Sequence, residues 1–344
     1  MSTERGRIRI TGFDPERVEE REPISGWTDE VGTTKGRTEQ AWERFKRNRS
    51  AVGGALVIVT MAVLAVFARP IEVMSIVVQP FAIAPYDPAE LGLLQGISAH
   101  KGPSVDHLFG TDHQGRDLFS RVIYGGRWSL SIGFIAVALA LFVGVPLGAI
   151  SGYYGGWVDE LIMRIVDILY AFPFLVLALA VIAILGRGYW EMVLALTIVG
   201  WISYARLIRG EILSVKENEY VLAAKALGAR DRSIILKHIV PNAMAPVIVQ
   251  ATLNVGVVVL AVAALGFLGL GLGPAAAEWG TILSYTQETI IQGPDGAIPW
   301  WVTVFPGLSI VLFVMAINLV GDGIRDAFDP QGETDTGGDR GGAL

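Results

Sequence analysis

Gly110-Thr-Asp-His-Gln-Gly115 has the G-x-x-x-x-G spacing of a phosphate-binding loop. Such a loop continues with Lys and Ser or Thr, follows a buried strand and opens a helix. Here Arg116 and Asp117 stand in the two following positions, and a polar stretch at 100–107 comes before. The spacing therefore does not make a nucleotide site. Asp106-His107 and Asp112-His113 are pairs of metal-ligating types, but a metal site needs a closed ligand set at known spacing. Loop polarity accounts for both pairs.

Chemistry inside a membrane would need ionisable groups at mid-depth, where they are costly and usually functional. Arg164 and Asp167 lie at the inner edge of one apolar run, followed by Pro173, and Asp322 lies just past the end of another. Asn254 and Asn318 are the strongly hydrogen-bonding groups well inside the apolar runs, and all four histidines lie in loops. A proton- or sodium-coupled carrier lacks its relay here, and an intramembrane protease lacks its Ser–His, Ser–Lys or paired Asp. The chain has no cysteine, which removes thiol nucleophiles, disulfides and zinc fingers.

The elements that hold these residues are membrane helices. Of 344 residues, 52% are hydrophobic and only 17% are charged, against about a quarter charged in soluble domains. Six stretches approach the roughly 20 apolar residues that a crossing helix needs: Ala51–Ala68, Trp128–Gly148, Ile165–Leu185, Tyr189–Leu207, Ala245–Leu268 and Trp301–Val320. The first follows fifty polar residues with mixed charge, which is not the pattern of a cleavable signal. Basic residues mark the cytoplasmic side. With the N-terminus inside, 21 of the 27 Lys and Arg fall inside, and six (Arg69, Lys101, Arg116, Arg121, Arg127 and Arg187) fall outside. Both termini are expected in the cytoplasm of a multi-pass plasma-membrane protein. Ala136, Ala140, Gly144, Gly148, Gly152 and Gly156 recur every fourth residue, a small-residue ridge that lets helix backbones approach, either within this chain or across to a partner subunit.

The cytoplasmic loop at 211–241 is the most informative segment. Residues 219–227 are good helix formers, and Gly228 is the type that ends a helix in the left-handed conformation. Asp231 or Ser233 can cap a second helix running to Pro241. Ala223, Ala224 and Ala226 keep the first helix thin enough to enter a partner's groove.

Ala223-Ala224-x-x-x-Gly228 followed by Pro241 resembles the EAA loop of binding-protein-dependent ABC-importer permeases. The leading Glu of that motif is Leu222 here, its Ile position is His238, and its Leu before the proline is Val240. Gly110-Thr-Asp-His-Gln-Gly-Arg-Asp-Leu-Phe-Ser-Arg121, Arg127-Trp-Ser-Leu130, Gly152-Tyr-Tyr-Gly-Gly-Trp-Val-Asp159 and Asp167-Ile-Leu-Tyr-Ala-Phe-Pro173 resemble the C-type subunit of dipeptide, oligopeptide and nickel permeases.

The resemblance implies an all-α, six-span type I importer permease and no catalysis in this chain, with ATP and Mg held by partner ATPases. It implies that Glu219, Tyr220, Ala223, Ala224, Ala226, Gly228 and Pro241 form the coupling loop. Gly110, Thr111, Asp112, Gly115, Arg116, Asp117, Ser120 and Arg121 would form an extracellular family segment. The implied partners are a homologous permease, two ATPases, an extracellular binding protein and membrane lipid, with no nucleic acid. Di- or oligopeptides are the expected cargo, with nickel or another small solute as the alternative. The expected organisation is a disordered tail over 1–43, the first span and a long outer loop over 44–127, a five-span core over 128–328, and a disordered tail over 329–344.

Overall fold

The computed structural model describes residues 37–73, 76–273, 276–285 and 298–328. Residues 1–36 of the expected 1–43 tail, and the whole expected tail 329–344, lie outside the described residues. Helix α1 (Arg37–Arg47) opens the described chain, within the last residues of the stretch 1–43. Trp42 stacks on Phe45 with ring centroids 5.8 Å apart, and the Lys46 ammonium lies 5.6 Å from the centre of the Trp42 ring. Asn48 then caps α2 (Arg49–Phe67), its side chain accepting from Ala51 N at 3.1 Å.

After α2 come a short antiparallel hairpin of β1 (Ile71–Val73) and β2 (Ile76–Gln79) and a long loop. Helix α3 (Leu118–Tyr154) has 37 residues, about 55 Å at 1.5 Å per residue. It is much longer than the stretch Trp128–Gly148 and carries the end of the Gly110–Arg121 motif within its first turns. Arg127, on α3, donates to the carbonyls of Ala65 (3.3 Å), Val66 (2.8 Å) and Arg69 (2.5 Å). It satisfies carbonyls that the end of α2 leaves open.

The predicted third span is not one helix. It divides into α4 (Gly156–Tyr170) and α5 (Phe174–Leu185), bent by 92°. Pro173 causes the break, because its ring disfavours helical geometry at the residue before it and its own nitrogen donates no hydrogen bond. Among the described residues, five helices are each long and apolar enough to cross, and the bent pair makes a sixth crossing when counted as one span.

Helix α6 (Tyr189–Val215) decides between five and six. Tyr189 Oη donates to Ser131 Oγ at 3.1 Å, Tyr204 packs at Gly144, Ala205 and Ile208 at Gly148, and Ile212 at Gly152. The contacts advance along α3 and α6 in the same direction, so the two helices are parallel. A chain that crosses twice in one direction must return between the crossings, and α4 with α5 supplies the return. The small-residue ridge is thus occupied within this chain. A Cβ on Gly148 would lie 2.2 Å from Ala205 O, and one on Gly144 would lie 2.6 Å from Trp201 O. Gly156, at the far end of the repeat, has left the ridge, since α3 ends at Tyr154 and Gly156 takes φ +54 with nothing within 4 Å of a Cβ.

Helix α7 (Glu219–Ala226) is followed by the short α8 (Asp231–Ile234), a π turn over Ile235–Ile239, and α9 (Val240–Phe267). Pro241 sits in the first turn of α9. The second helix of the loop therefore runs on into the span, and neither Asp231 nor Ser233 caps it through a side chain. A short α10 (Trp279–Ser284) and the last span α11 (Trp301–Phe328) complete the chain. Helix α11 runs antiparallel to α2, with Gly54 against Ala316 and Gly323 against Ala51, and antiparallel to α9, with Gly256 against Ile317 and Gly321 against Leu253.

Candidate functional site

The turn at Gly228 is built from backbone hydrogen bonds. Ala229 N donates to Ala224 O at 3.1 Å and Gly228 N to Lys225 O at 3.0 Å. Together these form the paired C-terminal closure in which the residue after the cap is left-handed, and Gly228 has φ +79. Glu219, Tyr220, Ala223, Ala226 and Gly228 are exposed, whereas Ala224 is half-buried. Leu222, at the position of the motif's Glu, is 53% exposed. The short helix thus presents an open face of Ala, Leu and Tyr. Pro241 lies apart from it, beyond the π turn.

A cleft of about 550 Å³ separates this helix from the bundle, lined in part by Tyr153, Tyr154, Lys216, Leu222 and Asp231. Two polar ties cross its surroundings. Tyr153 Oη donates to Asp231 Oδ1 at 2.6 Å, and Lys216 Nζ donates to Gly152 O at 3.0 Å. Nearby, Arg209 grips Asp159 through two hydrogen bonds of 2.5 and 2.6 Å, fixing α4 against α6. Arg206 pairs with Asp167 at 2.6 Å and lies 4.0 Å from the centre of the Tyr170 ring.

The eight residues expected to form an extracellular segment gather into one buried knot. Gly110 and Gly115 turn the chain at φ +74 and +69, which L side chains avoid. The Thr111 hydroxyl donates to Ser98 O at 2.9 Å and accepts from Lys101 N at 2.8 Å. Asp112 accepts from Gln114 N (2.8 Å), Arg116 N (3.0 Å) and Arg116 Nε (2.7 Å), with Arg121 Nε 3.6 Å away. The wholly buried Arg121 donates from Nη1 to Pro88 O at 2.7 Å. Asp117 caps α3 by accepting from Ser120 N (2.8 Å) and Ser120 Oγ (2.7 Å), and it pairs with His107 Nδ1 at 2.9 Å. The start of α3, where a phosphate would dock, is thus already engaged by Asp117. His113 packs against Tyr285, ring centroids 4.5 Å apart, and burial holds its pKa below the usual histidine value despite Asp112.

Glu278 escaped sequence reasoning. It is fully buried and accepts from Gly280 N (2.7 Å), Thr281 N (2.8 Å), Thr281 Oγ1 (3.0 Å) and Ser129 Oγ (3.3 Å). Burial raises its pKa against the opposing pull of those bonds. It pins α10 to α3 near the N-terminal end of α3. Glu278-x-x-Thr281 reverses the Ser/Thr-x-x-Glu order of a capping box, so the sequence did not signal this cap.

Five long apolar helices and a bent pair among the described residues define an integral membrane protein. Residues 144–331 match the family described as the binding-protein-dependent transport system inner membrane component. Residues 36–97 match the N-terminal TM domain of oligopeptide transport permease C. The chain is 42% identical over 310 residues to the dipeptide transport system permease protein DppC of Alkalihalophilus pseudofirmus, covering 90% of this chain and 95% of that protein. It is 40% identical over 290 residues to the glutathione transport system permease protein GsiD of Escherichia coli, covering 84% and 89%. It is 38% identical over 294 residues to DppC of Bacillus subtilis, covering 86% of each. Among solved structures it is similar to a chain of the inward-facing MetNI methionine ABC transporter, with 22% identity and a TM-score of 0.49 over 62% of this chain and 96% of that one. The chain belongs to the family of binding-protein-dependent ABC-importer inner-membrane permeases. It is therefore a transport subunit and no enzyme, with ATP hydrolysis residing in partner subunits.

Proposed function

We propose that this chain is the C-type permease subunit of a di- or oligopeptide importer, paired with a homologous permease and driven by two cytoplasmic ATPases. An extracellular binding protein delivers the peptide, and α7 seats in a groove on one ATPase. The observation that carries this reading is the exposed face of α7 at Tyr220, Leu222, Ala223 and Ala226, held by a left-handed Gly228 at the Lys- and Arg-rich end of the bundle. Helix-in-groove docking needs a thin, exposed, rigidly oriented helix, and α7 is one. The basic asymmetry supports cytoplasmic termini and a cytoplasmic α7. The names of the relatives favour peptides over nickel.

When ATP closes the two ATPases, the coupling helices move and the spans switch the pathway between outward- and inward-facing. The test is uptake in a strain lacking this subunit. Di- and oligopeptide uptake is expected to collapse and return on complementation. Unchanged peptide uptake together with lowered cellular nickel would overturn the cargo assignment and leave the permease assignment intact.

A further inference from the structure

Three polar side chains form a ladder on one face of the bundle, midway along two spans. Gln250 Nε2 donates to Asn254 Oδ1 at 2.9 Å, and Asn254 Nδ2 donates to Tyr204 Oη at 3.1 Å. Asn254 stands near the midpoint of α9 and Tyr204 near that of α6. Tyr204 is buried, Asn254 is half-buried, and Gln250 with the adjacent Ser203 is exposed. Ser203, Tyr204 and Asn254 also line a cavity of about 120 Å³, closed by Phe174, Leu196 and Val257. Phe174 is the residue after the Pro173 break.

The exposed side chains of α2 and α11 are mostly apolar, among them Leu56, Val59, Val63, Leu308, Val311 and Met315, which suits hydrocarbon, with Thr60 and Asn318 among the exposed polar exceptions. Among the described residues, nothing meets the amide oxygen of Gln250. An unsatisfied amide facing lipid at this depth is strongly disfavoured, and polar residues within spans face the bundle interior or a water-filled cavity. Two different environments thus border one chain.

We infer that Gln250, Asn254, Tyr204 and Ser203 line the translocation pathway and offer neutral hydrogen-bonding groups to the backbone of a passing peptide. Side-chain amides and hydroxyls both donate and accept, as every peptide unit does. A neutral ladder therefore matches peptide backbones of any side-chain charge. The contact with peptide rests on the proposed cargo, whereas the lining of the pathway does not.

The chain has no native cysteine, so each single replacement is the one thiol of this chain, read on its own band after separation of the subunits. In the intact importer, Gln250→Cys and Ser203→Cys are expected to react with a water-borne cationic methanethiosulfonate, and Val311→Cys only with a lipid-soluble maleimide. Saturating dipeptide is expected to slow the reaction at Gln250→Cys several-fold. Reaction of Gln250→Cys with the lipid-soluble probe alone would place this face against lipid and overturn the inference. Reaction with neither probe would place it under a partner helix and also overturn it. If Gln250→Cys fails to insert, Ser203→Cys carries the same test. Water-borne labelling that dipeptide leaves unchanged would overturn the peptide contact, and uptake measurements separate that result from a wrong cargo.

Discussion

Tyr153 Oη donates to Asp231 Oδ1 at 2.6 Å, joining the last turn of α3 to the first turn of α8. Asp231 follows the Gly228 turn by three residues, so a displacement of α7 reaches α3 through this bond. Tyr153→Phe keeps the ring and removes the donor. A hydrogen bond at an exposed site contributes about 1 kcal/mol, equivalent to roughly a fivefold change in an equilibrium. We expect transport to fall about fivefold while co-purification with the ATPase is unchanged. Full transport at normal expression would show that the bond transmits nothing.

The coupling turn itself makes a second prediction. Gly228→Val places a β-branched residue at φ +79, where even unbranched residues cost roughly 1–2 kcal/mol. Ala223→Trp adds bulk on the exposed face of α7. It tests docking more cleanly than Ala224→Trp, because Ala224 is half-buried against its own chain. Both variants are expected to insert and express, to lose most transport, and to bind the ATPase weakly in pull-downs. Normal pull-down and transport by both would exclude α7 as the docking element.

Topology can be read by thiol labelling of whole cells. Val105 is 95% exposed in the long loop after β2, and Leu227 is 88% exposed at the coupling turn. An impermeant reagent is expected to label Val105→Cys in intact cells and Leu227→Cys only after lysis. Labelling of Leu227→Cys from outside would invert the orientation.

Glu278→Gln tests the buried cap. The carboxylate accepts four hydrogen bonds, and the amide nitrogen of Gln cannot accept the two that Thr281 donates. Leaving buried donors unmet costs about 1–3 kcal/mol. The melting temperature of the detergent-solubilised protein is expected to drop by several degrees. An unchanged melting temperature would mean that α10 is held by apolar packing alone.

The sequence made much of this legible. Hydropathy located the crossings because a span must be apolar wherever it goes. The fourfold repeat from Ala136 to Gly152 announced a close backbone seam, and Gly228 announced a left-handed stop. Hydropathy does not encode direction, however, so the residues around Pro173 read as one straight span although the chain turns by 92° there. Pro241 looked like a helix boundary, but proline fits the first turn of a helix and the π turn carries the backbone through to it. Glu278 was invisible for another reason. Its partner Ser129 lies 149 residues away in the chain, and only folding brings the two together.

The α3–α6 seam has a mechanical consequence. A carbon added at Gly144 or Gly148 would lie 2.6 or 2.2 Å from a backbone oxygen of α6, and one at Gly152 would lie 3.0 Å from Arg209 O, so the seam resists sliding or rolling of one helix on the other. The pair behaves as one plank that passes a force along without flexing. Any rearrangement that opens and shuts the passage then has to be absorbed at joints. The chain offers two: the elbow at Pro173, where backbone bonding is broken, and the π turn at Ile235–Ile239, where it is loosened.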